Sequence, residues 1–498
     1  MAFARGEANS LGWRNLVSVA AEPHCGHTFP ASSTPLLLLH HLSDLHVCDA
    51  QSPTRPEYLD RHADPDSSIR EQVGTIGTYR PHAMLSPHVV ESMVHSLNSI
   101  TVGPLSGHKI AGAIITGDTT DNAQKNEVDW YIALLDGLEI RPDSGDFSKY
   151  DPAGKEDDQA RAKYGFPIVP NLLNSCRTPF KATGLNFPWY AVHGNHDALL
   201  QGTVAPTPEV NWEMIGGKRY TGLPSTTNLY EFLIQFREVG PAGYPAADDA
   251  PFIGVTAEIE RRAVERGEYA QLHLDSPGEP KGHGFTDENA RNKTMYYSML
   301  VQGVKLIVID SVNHFGGWQG SLDEEQFAWI EKEVAASDRP VVLASHHPLS
   351  TMFNDYAPSG RRVCVDEIRE MLLKYPKVIA WLAGHEHRHH VEWIGDAEEV
   401  SGFWQIETAS HADWPQQSRT VEMVTDESGD FYFGLTVVDH AAGIEHGNAT
   451  TPLEIAALSR TISANVWQKR PELGAKHGID WWLGRPSDRN VVLKILKR

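Results

Sequence analysis

The stretch AGHEHRHH, Ala383–His390, follows an apolar run (Val378–Ala383) that reads as a β-strand. It decides the reading of the chain because it completes a set. Upstream lie SDLH (Ser43–His46), TGDTTDN (Thr116–Asn122), HGNHD (His193–Asp197) and SHHP (Ser345–Pro348). Each again comes just after a short apolar run: Leu36–Leu42, Ile110–Thr116, Phe187–Val192 and Val341–Ala344. Each block supplies Asp, Asn or His, the residue types that bind divalent cations through oxygen or imidazole nitrogen. Five such blocks in one chain point to a hydrolytic site built on two metal ions.

Apolar runs this short, bounded by turn residues, are expected to be strands buried inside a sheet. Val304–Ile309 is a further one. Helical spacing falls between them. Pro87–Ser99 places Val89, Val90, Met93, Val94 and Leu97 on one face, and Glu127–Leu138 repeats the pattern. Leu322–Val334 follows Ser321, with Glu324 three residues on, the spacing of a capping box. Strands alternating with helices predict a layered α/β domain with ligands at the C-terminal ends of strands. Residues 139–183 and 198–292 are rich in Pro, Gly and charge, and are read as insertions on the motif-bearing edge. The expected organisation is one catalytic domain over 31–450. A helix (Pro452–Val466) and a Trp-containing arm would follow over 451–498 and pack on it.

The 498 residues are 41% hydrophobic and 22% charged, enough apolar material for a large core. No apolar stretch is long enough to cross a bilayer, and no basic-then-apolar leader is visible. Four cysteines without paired spacing fit a reducing compartment, so a cytoplasmic location is expected. A formal charge of −22 argues against a duplex nucleic-acid partner, which needs lysine and arginine against phosphates.

Asp44 and His46 stand two apart on extended chain, which puts a carboxylate and an imidazole on one side. Asp118 follows a strand and a glycine, and its two oxygens suit it to bridging two cations. Asp121 is better placed behind the ligands. Asn195 offers a neutral oxygen, and His196 beside it is free to face the substrate. His385 and His387 repeat the two-residue spacing, whereas a surface hairpin is the plainer reading for His389 and His390. Of His346 and His347, the position relative to Pro348 favours His346 as the ligand. A zinc hydrolase of the His-x-His-x-Asp-His type is disfavoured, because His389 stands where that pattern has Asp.

Together these strings resemble the calcineurin-like metallophosphoesterase superfamily, from about Leu36 to His411. The resemblance implies two packed mixed β-sheets flanked by helices and a binuclear metal centre. It implies one ion on Asp44, His46, Asp118 and His387 and a second on Asp118, Asn195, His346 and His385. It also implies that His196, oriented by Asp121, meets the phosphoryl oxygens or the leaving group. Purple acid phosphatases carry a tyrosine where this chain has Asp121, and protein Ser/Thr phosphatases an arginine where it has Asn122. Both departures favour a small phosphate ester as substrate, a diester before a monoester. A catalytically silent metal-binding scaffold ranks below, since every ligand position is filled.

Two carboxylates against two divalent ions leave the site near +2, enough to attract an anionic ester and to lower a bridging water toward a pKa of about 7. The nitrogen and oxygen ligand set suits Mn, Fe or Zn. Arg55 and Arg61, in the segment after the first ligand pair, and His411, with Trp414 and Gln416 after a further strand, are candidate substrate contacts.

Overall fold

Leu37, Leu38, Leu39 and Leu42 are all buried. Their strand is covered on both faces, and this is what a continuous apolar run without alternation encodes. The computed structural model describes residues 2–55, 57–60, 62, 64, 65, 67–70, 80–146, 163–232, 250–473, 475 and 477–497. Among them two mixed sheets form the centre, one of seven strands and one of six. In chain order the first sheet takes β1 (Cys25–Gly26), β2 (Thr34–Leu42), β3 (Gly112–Thr116) and β4 (Trp189–Val192). The second takes β5 (Tyr297–Val301), β6 (Val304–Val308), β7 (Val341–Ala344), β8 (Val378–Ala383), β9 (His390–Gly395) and β10 (Gly402–Glu407). β11 (Gln417–Thr425), β12 (Phe431–Asp439) and β13 (Val491–Ile495) return to the first. The spatial orders are β1-β13-β12-β11-β2-β3-β4 and β5-β6-β7-β8-β10-β9. β2, β3 and β4 run parallel, as do β6, β7, β8 and β10.

Side chains of β6 and β7 alternate between two cores, as the two-residue period of a strand requires. Leu306, Val308, Val342 and Ala344 join Leu39, Met423 and Phe433 between the sheets. Ile307, Ile309, Val341 and Leu343 meet Ile330 and Val334 of α3 (Glu324–Ala336) and Ile368 and Leu372 of α4 (Val365–Leu373) on the outside. α1 (Ser86–Ser99) and α2 (Lys125–Asp136) bury Met93, Leu97, Val128 and Leu134 with the first sheet. α5 (Pro452–Ser463) packs on α1. Each such Leu or Val contributes roughly 1.5–3 kcal/mol by leaving water, and the summed core holds the two sheets in register.

Three local features depart from the pattern. α3 starts two residues later than the capping-box spacing suggests, because Leu322–Asp323 first pairs as a short strand with Arg362–Val363. Asp323 is therefore the cap, accepting the Gln326 N–H at 2.7 Å, while Ser321 Oγ accepts from Arg362 Nε at 2.9 Å. Within 198–292, a helix at Arg266–Asp275 buries Tyr269 and Ala270 in the main core. The terminal arm ends as a sheet strand, Phe431 pairing with Ile495. No helix among the described residues is long and apolar enough to cross a membrane.

Candidate metal centre

β2, β3 and β4 of one sheet and β7 and β8 of the other all end at the same edge, and every ligand candidate lies just past one of those ends. The chain turns there abruptly. Asp44 (φ 51°), His46 (44°), Asp118 (49°), His385 (71°) and His387 (56°) all adopt left-handed backbone. Such conformations cost of order 1–3 kcal/mol each outside glycine and persist only where the surroundings impose them. Main-chain bonds from Asp44 N to Gly117 O (3.0 Å) and His46 N to Asp118 O (2.9 Å) impose them here. Gly384 permits the closest approach: a Cβ there would collide with Ser43 Oγ and lie 2.6 Å from Asp44 Oδ2.

The cluster has two halves. In one, His46 Nδ1 faces Asp121 Oδ1 at 3.2 Å and His387 Nδ1 faces Asp413 Oδ2 at 2.6 Å. Ionised carboxylates only accept, so both Nδ1 atoms donate, and in the neutral rings that metal binding requires both Nε2 atoms carry lone pairs. Those Nε2 atoms face each other at 3.2 Å, with Asp44 Oδ1 3.1 Å from His387 Nε2. Lone pairs converging with a carboxylate oxygen in a buried space call for a positive charge among them, a metal ion or a proton on His387. In the other half, His346 Nδ1 donates to Thr116 O at 2.7 Å. This leaves His346 Nε2 at 3.2 Å from both Asp118 Oδ2 and His385 Nδ1. Asn195 Nδ2 donates to Gly202 O at 2.9 Å, while its Oδ1 is buried and accepts no hydrogen bond. Asp118 stands between the halves through one oxygen. Oδ2 lies 3.2 Å from His346 Nε2 and 3.8 Å from His46 Nε2, whereas Oδ1 accepts the His196 main-chain N–H at 2.8 Å. The donor set thus fits divalent cations, grouped as Asp44, His46 and His387 on one side and Asp44, Asp118 and His346 on the other.

The protonation preferences reflect this crowding. Burial alone would lower His346, but the Asp118 carboxylate raises it to about 9. Burial likewise opposes the rise of His387, which Asp44 and Asp413 drive. Burial, with His196 nearby, lowers His46 to about 4. Against their own burial, Asp44 is held below the usual carboxylate range by His387, and Asp118 well below it by His346 and His196.

His196 is turned by Asp121, though not through the carboxylate: its Nδ1 donates to the Asp121 main-chain carbonyl at 2.6 Å. The Asp121 carboxylate instead serves His46, Arg55 and Gln201 Nε2 (3.1 Å). Arg55 is buried against that carboxylate and Cys48, a buttress of the cluster rather than a substrate contact. Arg61 lies outside the described residues. His411 is also buried, its ring on Ser418 Oγ at 3.0 Å, and only its main-chain N–H touches the site, through Asp44 O at 3.1 Å. Trp414 is buried in a separate apolar cluster and Gln416 donates to Ser459 Oγ at 3.0 Å, so neither lines the centre. His347 has both ring nitrogens occupied, by Ser311 Oγ (2.8 Å) and Trp318 O (2.9 Å). His389 is fully buried beside Arg419 (2.7 Å), not on a surface hairpin.

Sequence reasoning missed Asp413, the carboxylate of the ASHADWPQQ loop, which holds His387 and gathers Arg80 (3.0 Å) and Lys469 (2.8 Å). It also missed Asp197, whose Oδ1 accepts from Thr119 N and Thr120 N (2.9 Å each) and whose Oδ2 accepts from Gly194 N (2.9 Å). These bonds lock the Asp118 and Asn195 loops together. An acid inside a loop that follows a strand was the only available signal for either.

Residues 112–389, more than half of the chain, match the family described as calcineurin-like phosphoesterase. No curated protein matches the sequence. Among solved structures, the chain is similar to a dimetal phosphatase from Danio rerio, with a TM-score of 0.37 and 11% identity over 82% of this chain and 100% of that one. It is also similar to GAP50, the anchor in the inner membrane complex of Plasmodium, with a TM-score of 0.23 and 10% identity over 81% of this chain and 85% of that one.

Proposed function

Since the chain belongs to the calcineurin-like phosphoesterase family, whose members are metal-dependent phosphoester hydrolases, we propose that it cleaves a small phosphate ester at a centre of two divalent ions. Asp44, His46, Asp118 and His387 would hold one ion and Asp118, Asn195, His346 and His385 the other, with Asp118 common to both. Mn, Fe and Zn all suit this set of nitrogen and oxygen donors. When bound, the ions supply positive charge against the phosphoryl oxygens and make water acidic enough to act as a nucleophile near neutral pH.

The remaining work falls to the protein. His196 keeps its Nδ1 proton on the Asp121 carbonyl, so Nε2 is the atom that can carry a proton to the departing oxygen. The Asp121 carboxylate, neutralised by Arg55, makes His46 a stronger donor to its ion. The paired Asp413 does the same for His387. The observation that carries the proposal is the pair of Nε2 lone pairs, His46 and His387, converging at 3.2 Å beside Asp44.

A diester is the first reading, on the branch features Asp121 and Asn122. A monoester is the second, because Arg80 and Lys469 bring positive charge to the His387 side, which a dianion would use. The test is to strip the protein with chelator, reload it with Mn²⁺ and count ions. Turnover of bis-p-nitrophenyl phosphate is then compared with that of p-nitrophenyl phosphate. Two ions bound with neither ester cleaved, or one ion at saturation, would sink the proposal; the faster ester settles the class.

A further inference from the structure

On the His385 side of the cluster, two loops carry exposed aromatic rings. Trp318 is 38% exposed, Phe353 48% and Tyr356 56%. The Trp318 ring lies nearly parallel to the His385 imidazole, with 5.8 Å between centroids and 16° between planes. Phe353 meets Trp318 edge-on, at 5.8 Å and 89°. The two rings make a corner, one wall of which touches a proposed metal ligand.

This corner is rigid. Gly320 N donates to Thr351 O and Asn354 N to Gly320 O, both at 3.0 Å, so the two loops are stitched together. Asn354 Nδ2 donates to Gly316 O at 2.9 Å and Asn313 Nδ2 to Tyr356 O at 2.8 Å. Trp318 itself is fixed through its carbonyl, which accepts from His347 Nε2 at 2.9 Å, and its neighbour Gly317 donates to Thr203 O at 2.8 Å. A lone exposed apolar residue needs no explanation, but adjoining exposed rings held in place beside a reactive centre mark a ligand surface. Pre-ordering such rings removes the entropy cost of binding against them.

The geometry points to Trp318 and Phe353 as a subsite for a planar aromatic substituent of the substrate, stacked there while the phosphoryl group sits on the metal cluster. The inference rests on the phosphoester reading above. A flat ring gains from both walls, face against Trp318 and edge against Phe353, where an aliphatic group of equal area gains only burial. A ring held at this corner would adjoin His385, the proposed ligand whose imidazole lies nearly parallel to Trp318.

The test uses phosphonates, which cannot be hydrolysed. Protein carrying both ions is titrated calorimetrically with inorganic phosphate, methylphosphonate and phenylphosphonate. Phenylphosphonate is expected to bind on the order of ten-fold more tightly than methylphosphonate, the range of ring stacking on an aromatic side chain. Trp318→Ala should abolish that ratio while leaving methylphosphonate affinity unchanged, which also shows that the variant is folded. Trp318→Phe should keep most of the ratio, and Phe353→Ala should reduce it. Equal binding of the two phosphonates by the unaltered protein, with phosphate still bound, overturns the subsite alone. So does a ratio that survives both alanine variants. If phosphate itself does not bind the loaded protein, the phosphoester reading fails and the subsite with it.

Discussion

The two halves of the cluster are built from similar ligands but backed differently. His46 and His387 each rest their outer nitrogen on a buried carboxylate, Asp121 and Asp413. His346 rests on the Thr116 carbonyl and Asn195 on that of Gly202, both neutral. Each backing carboxylate is itself compensated, Asp121 by Arg55 and Asp413 by Arg80 and Lys469. A carboxylate behind an imidazole makes it a better donor, and a carbonyl does so less. The two proposed ion positions are therefore not equivalent: the half on Asp44, His46 and His387 should bind its ion more tightly. On graded chelation, the ion on the His346 and Asn195 side is expected to leave first.

The hardest test removes the joint. Asp118→Ala takes away the single oxygen that faces both halves, and activity is expected to fall to the uncatalysed background with fewer than two ions retained. Two ions still bound to that variant would make the halves independent sites. His196 comes next. Its ring packs edge-on to His46, 4.6 Å between centroids, and with His46 and Asp118 it forms a group close enough to hold an ion. Its proposed partner is the substrate rather than an ion. His196→Ala should therefore lower turnover by about 10²- to 10⁴-fold with metal content intact. Loss of an ion in that variant would make His196 a ligand, and the tighter half would have to be redrawn around it.

The backing itself is open to a milder test. Asp413→Asn keeps the shape but removes the charge behind His387, and should weaken one ion by about 10- to 100-fold. Asn195→Ala should weaken the other while sparing the first. Metal titration of the two variants decides the matter: if both lose the same ion, the division into halves is wrong.

How much of this could be read beforehand follows the same division. The strands and the ligands at their ends are local: a doubly covered strand is written as Leu36–Leu39, and the turn after it as Ser43–His46. The backing groups are not local. Asp413 reaches His387 across 26 residues, and Asp121 reaches His46 across 75. Nothing in the composition of either loop states which ring it will meet. Asp121 was expected to hold His196 with its side chain, yet the chain passes so close that the main-chain carbonyl does so and frees the carboxylate for His46. The Arg266–Asp275 helix escaped notice because its buried face is Tyr269, Ala270, His273 and Leu274, only partly apolar by residue type. β13 was hidden for a different reason: VVLKI is a plain strand sequence, but its partner β12 is followed by a buried helix, so its place in the sheet is set by topology.

The smallest effect concerns a carboxylate that shares neither arrangement. Glu407 ends β10 and is 1% exposed. Its Oε1 accepts from Gln405 Nε2 at 3.1 Å, but Oε2 accepts no hydrogen bond and stands 3.8 Å from Arg388 Nε. Burial pushes its carboxyl up to about 7, with His390 and Arg388 only partly offsetting it. Asp413, equally buried but held by Arg80 and Lys469, is driven the other way. A carboxyl raised in the folded state is neutral there while the unfolded chain ionises from its ordinary value of about 4.5. Below that pH both states are protonated and nothing is lost. Between pH 4.5 and 7 stability falls as pH rises, and above 7 the full cost is present, up to about 3 kcal/mol. Glu407→Gln keeps an acceptor for Gln405 and cannot ionise. Its unfolding free energy relative to the unaltered protein, from urea titrations, should therefore improve between pH 4.5 and pH 8 by up to that amount. A difference that does not change with pH would mean that Glu407 is compensated as well as Asp413 is, and burial with only a more distant cation, Arg388 at 3.8 Å, would no longer separate this carboxylate from those that back the ligands.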